Sequence, residues 1–166
     1  LRPLIQQLAR LAGLTIVSRR HVSLPYLEHP PRGAFDQVLL RCHPSLQGLH
    51  FIQIGANDGE RADPIVRYLE PCAWSGLMFE PLTVNFAALK RRHGANPRLR
   101  LRQHAIDTVA GPRPLYDLDR TAHPHLPDWA NGLASFSRDR VLQAARELGL
   151  DERALVSEEI TAVTWD

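Results

Sequence analysis

Three groups of residues in this chain have the types and order that small-molecule chemistry needs. Gly55-Ala56-Asn57-Asp58-Gly59 follows the mostly apolar run Phe51-Ile52-Gln53-Ile54 directly, Glu80-Pro81 closes a second run at Leu77-Met78-Phe79, and His104-Ala105-Ile106-Asp107 ends a third segment. Gly55 and Gly59 let the backbone approach a ligand where a side chain would block it, and the amides of a following helix can face that ligand. A carboxylate at the end of the next strand, here Glu80, can accept both hydroxyls of a ribose. The combination points to a nucleoside-containing cofactor. As a bland alternative, Asn57 and Asp58 are ordinary turn formers and Glu80 is a strand-end surface carboxylate.

For these residues to meet, the elements carrying them must end at one edge of a sheet. Gly48 introduces Leu49–Ala56, which reads as a strand buried on both faces. Asp63-Pro64 suits the start of a helix running to about Glu70. Trp74-Ser75-Gly76 turns the chain into Leu77–Glu80, a second strand, which Pro81 stops. Asn85–Arg92 reads as a helix whose basic end, Lys90, Arg91 and Arg92, complements its dipole. Residues 99–107 alternate Leu99 and Leu101 with Arg100 and Arg102, as an edge strand with one wet face does. The order β-α-β-α-β predicts an α/β fold, a Rossmann-like, doubly wound, mostly parallel sheet flanked by helices, with ligands at the carboxyl ends of its strands.

Upstream, Leu4, Ile5, Leu8, Leu11 and Leu14 lie at helical spacing and predict an amphipathic packing helix. A proline-rich linker spans Pro25 to Gly33, and Ala34–Cys42 reads as another helix. Residues 1–47 are therefore expected to be a helical and linker segment, and 48–166 the ligand-binding domain. Within it, Arg138–Leu148 reads as a helix ended by Gly149, and residues 160–166 as a last strand.

The nature of the cofactor follows from the turn. A dinucleotide fold shows G-x-G-x-x-G, with bare backbone under a pyrophosphate. Here the middle glycine is missing and Asn57 and Asp58 stand in its place, so an NAD-dependent oxidoreductase is the weaker alternative. An aspartate repels phosphate oxygens and pairs with an ammonium. S-adenosylmethionine has an amino-acid ammonium and no phosphate, and it is the favoured cofactor.

Phe51–Gly59, Asp63-Pro64-Ile65, Trp74–Pro81, His104–Asp107, Gly111–Leu118 and Leu133–Phe136 together resemble the FkbM family of S-adenosylmethionine-dependent methyltransferases, from about residue 48 onward. The resemblance implies a class I methyltransferase-like fold and O-methylation of a hydroxyl on a small molecule or carbohydrate. It further implies that Gly55, Ala56, Asn57, Asp58 and Gly59 hold the methionine part of the cofactor. By the same resemblance Glu80 and Pro81 sit at the ribose, and His104, Ala105 and Ile106, with Asp107 adjacent, border the adenine. The family pattern continues past a strand such as 160–166 into an Asp-x-Glu-Gly type motif that residues 1–166 do not contain. This length of chain is therefore expected to be C-terminally incomplete, and an inactive cofactor-binding module is a further alternative.

Methyl transfer to a hydroxyl requires alignment of the acceptor oxygen and a base. His104 and Asp107 are the weak candidates, with His123 and His125 behind them. His123-Pro124-His125 otherwise reads as an exposed, proline-stiffened loop, and two histidines fall short of the three protein ligands of a catalytic zinc; no metal is expected. Trp129 and Phe136 either line the acceptor pocket or pack on the sheet, with packing favoured. With 20 basic against 18 acidic residues, net +2, charge alone does not point to nucleic acid or membrane. Arg98, Arg100 and Arg102 without interleaved aromatics mark a solvated edge better than an RNA site. Two cysteines, Cys42 and Cys72, form no disulfide framework or zinc motif, and no run approaches a membrane span. A cytoplasmic protein is expected, of undetermined oligomeric state.

Overall fold

The computed structural model of the chain describes residues 34–43, 45–61 and 63–165. The predicted helix at 4–14, the proline-rich linker and Asp166 lie outside the described residues. The elements are α1 (Ala34–Cys42), β1 (His50–Ile54), α2 (Val66–Leu69), β2 (Ser75–Phe79), α3 (Thr83–His93), β3 (Leu99–Arg102), β4 (Ala105–Ile106), β5 (Gly111–Leu118), α4 (Arg138–Glu147) and β6 (Leu155–Val163). Single 3-10 segments occupy Asp128–Gly132 and Glu152–Ala154.

The chain is mixed α/β. A parallel three-stranded sheet has the order β1-β2-β3. A second sheet, β4-β6-β5, pairs β4 parallel and β5 antiparallel to β6. The expected single, mostly parallel sheet is thus corrected in one respect. The segment 99–107 is two strands, broken at Gln103-His104, and its second half pairs with β6. β5 lies at the end of its sheet's order, where Pro112 and Pro114 are tolerated because no further strand needs their missing amides.

β1 is also corrected. Phe51 and Gln53 are half-buried, but Ile52 and Ile54 are 50% and 59% exposed. Among the described residues β1 is terminal in its sheet, and its alternation of exposed and half-buried residues shows one covered face instead of two. β3 follows the expected pattern, with Leu99 buried and Arg100 and Arg102 exposed.

The chain forms two compact units. Of the described residues, the first comprises 34–43, 45–51 and 63–76. In its described part, Trp74 stacks on Tyr68 with ring centroids 4.9 Å apart, and its indole N–H donates to the Leu46 carbonyl at 2.6 Å. The Tyr68 hydroxyl donates to buried Asp36, whose other oxygen lies 3.4 Å from Arg67. Burial first, and the Asp36 carboxylate second, push the Tyr68 phenol up. Asp63 accepts the Ile65 amide at 2.7 Å, an Asx-type turn that delays the helix to Val66.

Of the described residues, the second unit comprises 52–61 and 77–165. Ala105, Leu115, Ile160 and Ala162 form one buried cluster, with Leu82, Ala134 and Phe136 packed on it. Leu118 forms another with Val141 and Ala145 of α4. The Ser137 hydroxyl caps α4 by accepting the Arg140 amide, and Gly149 at φ +74° lets the chain leave.

Candidate functional site

The second unit holds the segments that the sequence marks for chemistry. The amides of Gly55 and Ala56 both donate to the Phe79 carbonyl at 2.9 Å, and the Glu80 amide donates to the Arg102 carbonyl at 3.1 Å. These bonds bring the ends of β1, β2 and β3 together.

Glu80 is 4% exposed. Its Oε2 accepts the Asn57 amide at 2.9 Å and its Oε1 the Leu82 amide at 3.0 Å. A carboxylate offers about four lone-pair sites; these two amides and the Asn85 side chain take three of them, which leaves room for one further donor. Burial raises the Glu80 pKa above its ordinary value. The amides of Leu82 and Asn57 and the side chain of Asn85 oppose that rise, and the negative charge of Asp117 adds to it. The sequence suggested a ribose ligand at this position; its second task, tying the turn after β1 to β2, was not legible.

Within the turn, Asn57 adopts φ +51°, a conformation that asparagine tolerates better than most residues. Its side-chain oxygen accepts the Asp58 amide at 2.8 Å and its side-chain nitrogen donates to the Asn131 carbonyl at 3.0 Å. Asp58 is engaged locally, accepting the amides of Glu60 and Arg61 at 3.0 and 2.9 Å. Burial pushes its carboxyl up, but those amides together with Arg92 and Arg61 outweigh it and hold the group below its ordinary pKa.

A cleft of ≈ 330 Å³ opens beside these residues. Of the expected site residues it is lined by Gly55, Asn57, Glu80, Pro81, His104, Ala105 and Ile106. A Cβ built on Gly55, at φ +75°, meets no atom within 4 Å, so the backbone there is bare toward open space. Ala56 is buried, and it, Asp58 and Gly59 are not among the lining residues. Gly59 replaces the ligand-approach expectation with a packing one, because a Cβ there would lie 2.5 Å from Leu89 Cδ1 and 2.7 Å from His93 Cδ2 of α3.

Of the candidate bases, His104 lines the cleft. Asp107 does not; its carboxylate pairs with Arg113 and accepts the Thr108 amide at 2.7 Å. His123 is half-buried and His125 exposed, and neither lines the cleft. No group of three or more His, Cys, Asp or Glu that could hold a metal occurs among the described residues. Trp129 is 56% exposed, whereas Phe136 both packs on the β4-β6-β5 core and lines the cleft, with the Arg113 guanidinium 4.6 Å from its ring centroid.

Sequence reasoning did not find Asn85 and Asn131, which also line the cleft. The Asn131-Gly132 pair carries a turn signal that could have marked a wall. Asn85 stands in the first turn of α3, just after Glu80-Pro81, where a side chain faces the same strand ends. No helix among the described residues is long and apolar enough to cross a membrane. In comparisons with family models, curated proteins and solved structures, nothing matches the chain.

Proposed function

We propose that the cleft binds S-adenosylmethionine and that the chain carries the cofactor-binding part of a Rossmann-like, class I methyltransferase fold of the FkbM type. The observation that supports this reading most is the buried Glu80 carboxylate beside the bare backbone of Gly55, in one cleft with His104, Ala105 and Ile106. These residues fit the group, since a carboxylate with a remaining acceptor site suits a ribose hydroxyl and a side-chain-free turn suits a close-lying amino-acid chain.

When bound, S-adenosylmethionine supplies an activated methyl group on a sulfonium. The residues of this chain would do the rest: Glu80 orients the ribose, Gly55 and Asn57 border the methionine part, and His104 to Ile106 border the adenine. His104 is the better-placed base of the two candidates for accepting a hydroxyl proton, because Asp107 is already neutralised by Arg113. The acceptor in this reading is a small hydroxyl-bearing molecule such as a carbohydrate, and the location cytoplasmic.

A thermal-shift series with S-adenosylhomocysteine, S-adenosylmethionine and NAD tests it. A ligand at about 100 times its dissociation constant adds ~2.7 kcal/mol, roughly 5–10 °C for a domain of this size. Stabilisation by the S-adenosyl compounds alone is expected. A shift with NAD alone would move the reading to an oxidoreductase, and a flat cooperative melt with all three would end it for these residues.

A further inference from the structure

We infer that Asn85 is a positioning residue for Glu80, its side-chain amide holding the carboxylate so that a charged acceptor faces the cleft. The consequence for ligand binding rests on the S-adenosylmethionine reading of the cleft; the role toward Glu80 does not. Asn85 is the third residue of α3, hydrogen-bonds the Glu80 carboxylate through its side chain and lines the cleft with it. Leu82, which precedes α3, makes no side-chain cap bond, and its amide donates to Glu80 Oε1 at 3.0 Å. Glu80 thus stands at the start of an 11-residue helix, where the dipole favours an anion.

The donors on Glu80 differ in kind. The amides of Asn57 and Leu82 are backbone groups that remain whatever side chains stand there. The Asn85 bond depends on the residue at that position being a donor. Against these donors work the burial of Glu80, at 4% exposure, and the negative charge of Asp117. Asp117 is itself buried at the end of β5, with Arg120 3.3 and 3.4 Å from its two oxygens. It lines a neighbouring cavity of ≈ 420 Å³ that Asn85 lines as well, so Asn85 belongs to the wall shared by the compartments of the two acids. His104 lines the cleft, and a charge there would favour the Glu80 anion.

A desolvated carboxylate near a second acid keeps its charge when hydrogen bonds to the charged form offset both penalties. Asn85 supplies such a bond without bringing a charge, which leaves Glu80 an anionic acceptor and not one half of an ion pair.

Carbon-13 NMR titration of the Glu80 carboxyl in the parent, Asn85→Leu and Asn85→Asp tests this. Leucine is close in size and a better helix former, and aspartate keeps the shape while placing a negative charge in the first turn of α3, where the dipole favours it. Between them the two variants separate folding from positioning. In Asn85→Leu the proton affinity of Glu80 should rise about tenfold, since a hydrogen bond to a charged group is worth about one to two decades. In Asn85→Asp it should rise further, because a like charge replaces the donor. His104, Asp117 and Arg120 are common to all three proteins, so the differences report on residue 85. The affinity for S-adenosylhomocysteine, followed by calorimetry against pH, should begin to fall at a higher pH in both variants, a displacement that mere loosening of α3 does not produce. A Glu80 that titrates in both variants as it does in the parent would overturn the role of Asn85. A parent that does not bind S-adenosylhomocysteine would instead end the reading of the cleft, and the carboxyl titration, which needs no ligand, would still decide the role of Asn85.

Discussion

The two ends of the Gly55–Gly59 turn are alike in backbone and opposite in surroundings. Gly55 and Gly59 sit at φ +75° and +71°, a region that disfavours any side chain. At Gly55 an added Cβ meets open space beside the cleft, whereas at Gly59 it meets the side chains of Leu89 and His93. One glycine leaves room for something outside the protein and the other for α3. The same letter in the sequence therefore carries two physical demands, and only the first concerns the cleft.

The contrast breaks most sharply at Gly59. Gly59→Ala adds left-handed strain to overpacking against Leu89 and His93, at a cost of about 2–4 kcal/mol. Chemical denaturation should show that loss in full, with S-adenosylhomocysteine affinity unchanged in the remaining folded protein. A variant of unaltered stability would mean that α3 does not press on the turn.

Glu80→Ala comes next, because it cuts the tie between the turn and β2 on the cleft side. The affinity for S-adenosylhomocysteine should fall by about 1.5–3 kcal/mol, read by calorimetry well below the melting temperature; an unchanged value removes Glu80 from the ribose. The raised pKa gives a second readout. A carboxyl that holds its proton more tightly when folded stabilises the fold fully below its unfolded pKa, near 4.5. That contribution is lost as pH rises through the higher folded value. Glu80→Ala should flatten this part of the stability–pH profile. Ligand affinity in the parent should run the other way, weakening as acid protonates Glu80 and removes an acceptor.

Much of this geometry was legible because strand ends announce themselves. Apolar runs stopping at Gly55 and at Glu80-Pro81 placed both at strand ends, and the sequence also read helices over Ala34–Cys42 and, with its stop at Gly149, over Arg138–Leu148. The burial of β1 was not legible, since Ile52 and Ile54 look alike in a central and a terminal strand. The break at Gln103-His104 was hidden too, because it depends on β6 pairing with Ala105 and Ile106 from more than fifty residues away. Within the site, local sequence located the turn but could not tell which of its residues look outward. That depends on α3, whose Leu89 and His93 claim Gly59, and on Asn131, which claims the side chain of Asn57.

At the cleft end of the turn, Gly55→Ala should cost about 1–2 kcal/mol of stability through the left-handed backbone alone, less than Gly59→Ala because nothing collides. It should weaken S-adenosylhomocysteine as well, which Gly59→Ala does not. If both variants lose stability equally and neither loses ligand, the open space beside Gly55 is not where the ligand lies.

The smallest effect belongs to Asn57, midway between the two glycines. Asn57→Asp retains an oxygen for the Asp58 amide but loses the donor to the Asn131 carbonyl, now faced by a carboxylate. The expected cost is about 0.5–1.5 kcal/mol. Asn57→Gly removes both side-chain bonds but relaxes φ +51°, so it should cost less than removal of two hydrogen bonds alone would imply. The diagnostic difference is local. Hydrogen exchange at the amides of Ala130 and Leu133, which donate to Pro127 and Ala130 within the 3-10 segment, should quicken in both variants if the Asn57 tether holds that wall of the cleft. Unchanged exchange would show that Asp128–Gly132 stands without the turn, and the cleft would then have one fixed side, built from Gly55 and Glu80.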